Sequence, residues 1–148
     1  MEVKFREIRK ADFKRVEELI KAFYREDPEG KPTNKNKIKD TFRELFSSES
    51  GCIMLMTINR KIIGYAILIN YWSNEYNGNI LHIDELYIAK GYRGQGIGSK
   101  LIKHLIKVKF YEAVAIMLEV TPINKKAEKL YRKLGFEQAR NKFLIQEL

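Results

Sequence analysis

A glycine-rich turn between an apolar strand and an amphipathic helix is the feature that most constrains this chain. Gly94, Gly96 and Gly98 alternate within residues 92–99, directly before the helix. The first backbone amides of a helix have no partner inside the helix, and the helix dipole adds partial positive charge there. Because glycine lets the backbone approach a ligand closely, the turn predicts a cradle for a phosphate group. Arg93 adds a permanent positive charge beside it.

Two common phosphate-binding motifs do not fit this turn. A dinucleotide-binding fingerprint would need glycine three residues after Gly96, where Ser99 stands. A P-loop would end in Gly-Lys-Ser or Gly-Lys-Thr, whereas this turn ends in Gly98-Ser99-Lys100. The turn therefore indicates a different class of anion site.

Hydrophobic spacing along the rest of the chain predicts an α/β fold with the element order β-α-α-β-β-β-α-β-α-β. Residues 52–58 and 61–70 are expected to form a hairpin around Asn59-Arg60. Residues 27–32 are expected to form a loop, because the prolines there disfavour helix before them. No linker or repeat divides the chain, so a single domain is expected over residues 1–148.

The second half of the chain alternates strands and helices. Residues 80–89 predict a strand before the glycine turn, and residues 113–120 are an apolar run typical of a strand buried on both faces. Asn124 suits the N-cap of the last helix, and Gly135 suits the position after its end. Residues 136–147 are expected to add one or two closing strands.

Composition favours a soluble protein and argues against a membrane or metal role. No apolar run is long enough to span a bilayer, and charges occupy the first residues, where a signal peptide would need an apolar stretch. We therefore expect a cytoplasmic protein. Cys52 is the only cysteine, which excludes an internal disulfide and argues against a Cys-based metal site, so no metal is expected.

The formal net charge of +9 has two interpretations. It is typical of a lysine-rich solvated surface, or it attracts an anion such as a phosphorylated cofactor. The basic residues are spread along the chain and do not form one run with interleaved aromatics, so nucleic acid is not the expected partner.

The spacing of the turn resembles the acetyl-CoA loop of the GNAT superfamily, Arg/Gln-x-x-Gly-x-Gly/Ala, which here is Arg93-x-x-Gly96-x-Gly98. Residues 83–88 resemble the fourth strand of that superfamily. Its last helix and closing turn are matched by Asn124, Ala127, Leu130-Tyr131 and Leu134-Gly135-Phe136. The likeness covers essentially the whole chain.

The resemblance implies an N-acetyltransferase that moves an acetyl group from acetyl-CoA to a primary amine by direct attack on the thioester. It implies a mixed, mostly antiparallel central sheet of six to seven strands flanked by about four helices, and a homodimer as one assembly. The implied cofactor-binding residues are Leu86, Tyr87, Ile88, Arg93, Gly94, Gln95, Gly96, Ile97, Gly98, Ser99 and Asn124. The amide of Ile88 would stabilise the oxyanion. Asn124 would contact the cofactor and cap its helix, and capping alone is the alternative.

The resemblance also suggests acid and base candidates. Tyr131 aligns with a frequent general acid for the leaving thiolate, although it could equally pack on its helix face. Asp84 is the first candidate for the base, followed by Glu85 and then His82. Strand alternation places His82, Asp84, Leu86 and Ile88 on one face, and Glu85 on the other unless a bulge shifts the phase.

An aromatic segment predicts part of the acceptor site. Trp72 could wall a pocket, and Glu75 could attract an ammonium group. A loop clamped by hydrophobic side chains is the alternative. Acids at three candidate positions in a basic protein suggest a cationic small-molecule acceptor, which His82 could also contact.

Two other functions remain open on sequence grounds. A nucleic-acid-binding module would explain the net charge but leaves the glycine turn unexplained. A non-catalytic acyl-CoA-binding protein would explain the turn, but not the candidate acid and base.

Overall fold

The computed structural model describes residues 2–27 and 30–148 and places five strands in one sheet. The strands are β1 (Val3–Glu7), β2 (Gly51–Ile58), β3 (Lys61–Ser73), β4 (Gly78–Ile88) and β5 (Ala115–Leu118), and they lie in that order. β1 to β4 pair antiparallel and β4 pairs with β5 in parallel, so the predicted mixed sheet is confirmed. Pro28 and Glu29, in the predicted loop 27–32, lie outside the described residues.

Four α-helices cover the two faces of the sheet: α1 (Phe13–Arg25), α2 (Lys35–Leu45), α3 (Ile97–Val108) and α4 (Lys125–Lys133). Their number and order are as predicted. α1 and α2 bury Val16, Leu19 and Ile38 in one core cluster with alternate residues of β2 and β3. α3 and α4 pack on a second cluster against the other face. The sheet therefore separates two apolar layers, and β4 contributes side chains to both.

The hairpin between β2 and β3 forms where the sequence predicts it. Asn59 and Arg60 have φ angles of 49° and 67°. Positive φ at both central residues is typical of a type I′ turn, which matches the twist of the adjoining strands.

The end of the chain differs from the prediction. Among the described residues the sheet has five strands, so the expectation of six to seven is wrong. Residues 137–148 form no strand, and their side chains are exposed. The strand predicted over 113–120 is only Ala115–Leu118 and is half-buried, because β5 is an edge strand with β4 as its single neighbour.

None of the helices in the described part of the chain is long and apolar enough to cross a membrane.

Candidate active site

β4 carries a β-bulge at Asp84. Ile83 pairs with Leu68 and Glu85 pairs with Ile67, and these two partners are consecutive in β3. Asp84 is therefore the extra residue, and its side chain is exposed. A bulge interrupts the alternation of side chains along a strand, so the residues after it change face.

The bulge decides which helices the following side chains contact. Leu86 and Ile88 pack against the α3 cluster, together with Ile83 from before the bulge. Glu85 points to the opposite face, where α1 lies. The predicted common face for His82, Leu86 and Ile88 is therefore wrong, because regular alternation would have placed Ile83 and Leu86 on opposite faces.

Glu85 is a half-buried carboxylate held by two tyrosine hydroxyls. Tyr24 of α1 donates to Oε2 at 2.8 Å, and Tyr65 of β3 donates to Oε1 at 2.7 Å. Burial raises the pKa of Glu85, and the nearby charge of Asp84 acts in the same direction, whereas the two hydroxyls oppose it. Burial and the carboxylate raise the pKa of both tyrosines, so they stay protonated as donors. A carboxylate with a raised pKa in a fixed position is suited to accepting a proton.

A second acidic contact lies at the end of α1. Glu26 accepts from Tyr87 Oη at 3.1 Å and forms an ion pair with Arg93, whose closest contact is Nη2 to Oε2 at 2.9 Å. The Arg93 guanidinium also lies 5.1 Å from the centre of the Tyr87 ring, and its Nε donates to the carbonyl of Ile88 at 2.8 Å. Arg93 therefore joins the glycine turn to α1 and to β4, and its charge is balanced by Glu26.

β4 and β5 diverge beyond the bulge. Their pairing ends at Ile83 and Leu118, while β4 continues to Ile88. Ala89 donates its amide to Ile63 of β3. Successive amides of a strand point to opposite sides, so the amide of Ile88 points away from β3 and into the opening left by β5. The same alternation turns the amide of Leu86 into this opening, so two amides of β4 do not pair with β5 there, while the carbonyl of Ile88 accepts from Arg93.

The glycine turn borders the same opening. Gly94 and Gly96 have φ angles of 76° and 72°, a left-handed conformation that favours glycine, and Gly96 is the N-cap of α3. None of the described side chains caps this helix, so the amides of its first residues are available to a ligand. A β-carbon at Gly98 would lie 3.6 Å from Leu86 Cδ2, between α3 and β4. A methyl group at position 98 would therefore make only ordinary van der Waals contacts with β4.

The net charge is concentrated around this turn, contrary to the even spread expected from the sequence. Residues 89–133 hold eleven Lys and Arg against three Asp and Glu, a net charge of +8. Residues 1–88 hold fifteen against fourteen, a net charge of +1. Lysines of α3 and α4 are exposed on the same side of the sheet. This distribution suits an anionic ligand at the turn.

The two predicted functional residues of α4 have distinct local roles. The side chain of Asn124 accepts from the amide of Ala127 at 3.1 Å, so the predicted capping of α4 by Asn124 is confirmed. Tyr131 is half-buried, and its ring centre is 5.9 Å from that of Phe136. Burial raises the pKa of Tyr131, which makes proton donation harder than for a free phenol. None of the described side chains hydrogen-bonds its hydroxyl.

The predicted acceptor residues are only partly brought together. His82 lies on the Glu85 face of β4, because its neighbours Leu81 and Ile83 both point to the α3 cluster. Trp72 pairs with Asn79 at the far end of β4, roughly 20 Å from Glu85 at the usual rise of a strand. Glu75 lies in the turn beyond that pair. The structure therefore brings neither Trp72 nor Glu75 to the Glu85 carboxylate.

Three residues of the site escaped the sequence analysis: Tyr24, Tyr65 and Glu26. Tyr65 offers the clearest signal in retrospect, because it is a polar-tipped residue in the otherwise apolar run of residues 62–69 in β3. A fully buried tyrosine usually has a partner for its hydroxyl. The two α1 residues could be assigned only once the packing of the helix on the sheet was known.

Sequence comparison finds acetyltransferases. The model of the acetyltransferase (GNAT) family matches residues 13–136. Thialysine N-epsilon-acetyltransferase of Bos taurus is 35% identical over 75 residues, which are 50% of this chain and 44% of that protein. Aminoglycoside N(6')-acetyltransferase type 1 of Klebsiella pneumoniae is 27% identical over 119 residues, 74% of this chain and 59% of that protein. The chain therefore spans less than two thirds of the length of these curated relatives.

Solved structures share the fold. A possible acetyltransferase from Clostridium difficile 630 superposes with a TM-score of 0.85 at 24% identity, covering 99% of this chain and 97% of that one. At this identity the likeness establishes the fold alone.

Proposed function

Because the chain belongs to the acetyltransferase (GNAT) family, we propose that it transfers an acetyl group from acetyl-CoA to a primary amine. One observation carries the proposal: the amides of Leu86 and Ile88, which do not pair with β5, lie between the start of α3 and a half-buried carboxylate, Glu85. The start of α3 is the anion cradle. The amides and the base belong to neighbouring residues of β4.

The described residues fit the cofactor. The left-handed Gly94 and Gly96 expose backbone amides where a pyrophosphate would bind, and the surrounding +8 charge complements its phosphates. The edge of β4 offers the alternating donors and acceptors that an amide-containing arm needs. When bound, acetyl-CoA supplies a thioester carbonyl for attack and a thiolate as leaving group.

Three groups of this chain then act on the reaction. Glu85 accepts the proton that the acceptor ammonium must lose before it becomes a nucleophile. The amide of Ile88 donates to the carbonyl oxygen as negative charge develops on it. Tyr131 donates its phenolic proton to the departing sulfur. Asp84 is exposed beside Glu85, and its contribution is to raise the pKa of that carboxylate and to attract a cation.

The surroundings of Glu85 favour a cationic acceptor. The carboxylate lies beside the rings of Tyr24 and Tyr65, and Phe23 and Tyr87 stack edge-on or tilted around them. The half-buried ring of Tyr24 and a carboxylate together suit an alkylammonium. Two relatives are named for thialysine and aminoglycoside acetylation, and both acceptors are amines. We therefore place the acceptor among small molecules with an accessible primary amine.

An acceptor screen tests the proposal. Acetyl-CoA is incubated with thialysine, lysine, spermine, an aminoglycoside and a lysine peptide, and released CoA is measured with a thiol reagent. Cys52 is buried with its pKa raised to about 12, so the protein contributes little background. Acceptor-dependent CoA release with at least one amine is expected. Tight CoA binding with no release across the panel would instead support a non-catalytic acyl-CoA-binding protein.

The +8 charge of residues 89–133 also supports nucleic acid as a competing ligand. Binding of an oligonucleotide that persists at about 0.15 M salt and is not displaced by CoA would favour that function. Loss of oligonucleotide binding at that salt, with CoA binding retained, is the result expected here.

A further inference from the structure

Glu26 places an acid at the end of α1 that disfavours one. It is the C-cap residue of this helix. The last carbonyl groups of a helix carry partial negative charge, so a carboxylate beside them is repelled. Contacts with residues distant in the chain offset that repulsion: Arg93 donates from Nη2 to both carboxylate oxygens, at 3.1 and 2.9 Å, and Lys90 Nζ lies 3.9 Å from Oε1. The proposed reaction uses none of these contacts.

The end of α1 meets β4 in two matched pairs. Tyr24 donates its hydroxyl to Glu85. Two residues further along both elements, Glu26 accepts from the hydroxyl of Tyr87. The ring of Phe23 packs between the pairs, with its centre 5.3 Å from that of Tyr24 and 6.0 Å from that of Tyr87. A change in one pair therefore bears on the other.

The ion pair of Glu26 with Arg93 is suited to fixing a position rather than to stabilising the fold. The two side chains are 35% and 41% exposed, and a pair this exposed contributes little to stability. Arg93 itself is fixed at two further points, by the carbonyl of Ile88 and by the ring of Tyr87. A partner held in this way locks the helix end against β4.

We propose that Glu26 is a positioning residue for the acceptor base. By holding the end of α1 to Arg93 and Tyr87, it keeps the hydroxyl of Tyr24 on Glu85. The glycine turn and the base then share one support, although they lie on opposite faces of β4. This role of Glu26 rests on Glu85 being the base, as proposed above.

Glu26 reaches Glu85 through another side chain. Besides burial, the groups that set the pKa of Glu85 are Tyr24 of α1, Tyr65 of β3 and Asp84 of β4. Of these, only Tyr24 lies on the same element as Glu26. A change at Glu26 is therefore expected to act on the base through Tyr24.

The titration of Glu85 in the free protein tests this role. The carboxyl signals of ¹³C-labelled glutamate are followed by NMR, and the signal absent in Glu85→Gln belongs to Glu85. In Glu26→Gln the hydroxyl of Tyr24 is held less firmly, so the midpoint for Glu85 should rise by about half a pH unit. Loss of the Glu26 charge alone would lower the midpoint, because removing a nearby negative charge favours ionisation. An unchanged or lower midpoint would overturn the proposal.

Glu18→Gln is the matched control. It removes an exposed carboxylate from the same helix, where Glu18 Oε2 lies 3.1 Å from Nη1 of Arg15. The midpoint for Glu85 should not move in this variant. A rise equal to that in Glu26→Gln would mean that any charge lost from α1 has the effect, and would also overturn the proposal.

A double variant shows whether Glu26 acts through Tyr24. Tyr24→Phe removes the donor and should raise the midpoint for Glu85 by about one pH unit. Adding Glu26→Gln to Tyr24→Phe should then give no further rise, because the contact that Glu26 supports is already gone. If the two rises add, Glu26 does not act by positioning Tyr24.

These titrations need no turnover, so their outcome is independent of the proposed reaction. If the wild type releases no CoA with any amine, the proposed function fails, whereas the contact through Glu26 is still decided by the NMR midpoints. Where an acceptor is found, the acidic limb of kcat/KM should move with the midpoint for Glu85 in each variant. A limb that stays in place in Glu26→Gln while the midpoint rises would show that Glu26 does not position the base.

Discussion

The two sides of β4 beyond its bulge differ in which groups form the site: side chains on the α1 side, and mainly backbone groups on the α3 side. On the α1 side, Glu85 is set by side chains, because the hydroxyls of Tyr24 and Tyr65 fix both of its oxygens. On the α3 side, the opening is lined by backbone, with the amide of Ile88 and the start of α3 turned toward it. A backbone site tolerates many side chains but needs glycine at left-handed positions, whereas a side-chain site depends on each residue in it.

This difference teaches where variation can be tolerated. Acceptor choice is expected to depend on the α1 side, where changing a single side chain alters charge and hydrogen bonding. Cofactor binding is expected to depend on backbone conformation at the turn, and so to be sensitive to strain rather than to side-chain chemistry.

The largest effect should come from Glu85→Gln. The amide keeps the size of the side chain, its oxygen can accept from one tyrosine hydroxyl and its NH2 can donate to the other, but it cannot take a proton. Turnover should fall by about 10²–10⁴-fold, the usual contribution of a general base, with CoA affinity unchanged. Steady-state kinetics at saturating acetyl-CoA measures this. Asp84→Asn is the matched control and should lose much less; equal losses would mean that the two carboxylates share the role.

Tyr131→Phe should lower turnover by about 10²-fold, the low end of the general-acid range, because the raised pKa of this phenol already makes it a reluctant donor. Packing against Phe136 is retained, so CoA affinity should not change. Single-turnover measurements separate chemistry from product release. Unchanged single-turnover rates would assign Tyr131 to packing alone.

Gly96→Ala tests the backbone side. An alanine at a φ of 72° costs about 1–2 kcal/mol, so CoA binding should weaken by about tenfold, measured by calorimetry. Gly91→Ala is the control, because its β-carbon meets open space and its φ is not in the left-handed region. Similar losses of CoA affinity in both variants would show that the affinity does not depend on backbone strain at Gly96.

The smallest effect expected is a shift in pH dependence. Tyr65→Phe removes a donor that stabilises the Glu85 carboxylate, so the pKa of Glu85 rises further and the acidic limb of kcat/KM moves to higher pH. The shift should be about one pH unit, as for a hydrogen bond to a charged group. Tyr71→Phe, on the same strand but with its hydroxyl near Met117, should leave the limb in place. A limb that moves to lower pH would contradict the assigned contact.

The glycine turn and the order of helices and strands could be predicted because they depend on local signals. The signal for the glycine turn lies within one continuous stretch of sequence: a strand, then alternating glycines, then an apolar stripe at helical spacing. The role of Asn124 as a cap was predictable for the same reason. The charge pattern around the turn was also present in the sequence, but it becomes visible only when acids and bases are counted region by region.

The choice between Asp84 and Glu85 could not be made from local signals. It depends on one unpaired residue in β4, and a bulge is set by how β3 and β4 align over their whole length. The ion pair of Arg93 with Glu26 joins residues far apart in sequence, so the contact of this arginine with the end of α1 could not be predicted locally. The closing strands predicted over residues 136–147 are also missing, because a strand forms only by pairing with a neighbour, and that pairing is not specified by its own residues alone.

The pH dependence of kcat/KM in Glu85→Gln and Asp84→Asn tests the central claim most directly. Two acceptors of different basicity are used, so that a limb belonging to the acceptor moves with the acceptor. Because burial raises the pKa of Glu85, its acidic limb should lie above the usual glutamate range, persist in Asp84→Asn with a midpoint shifted to lower pH, and vanish in Glu85→Gln. An acidic limb that survives in Glu85→Gln and is independent of the acceptor, or one lost only in Asp84→Asn, would contradict the assignment of Glu85 as the base.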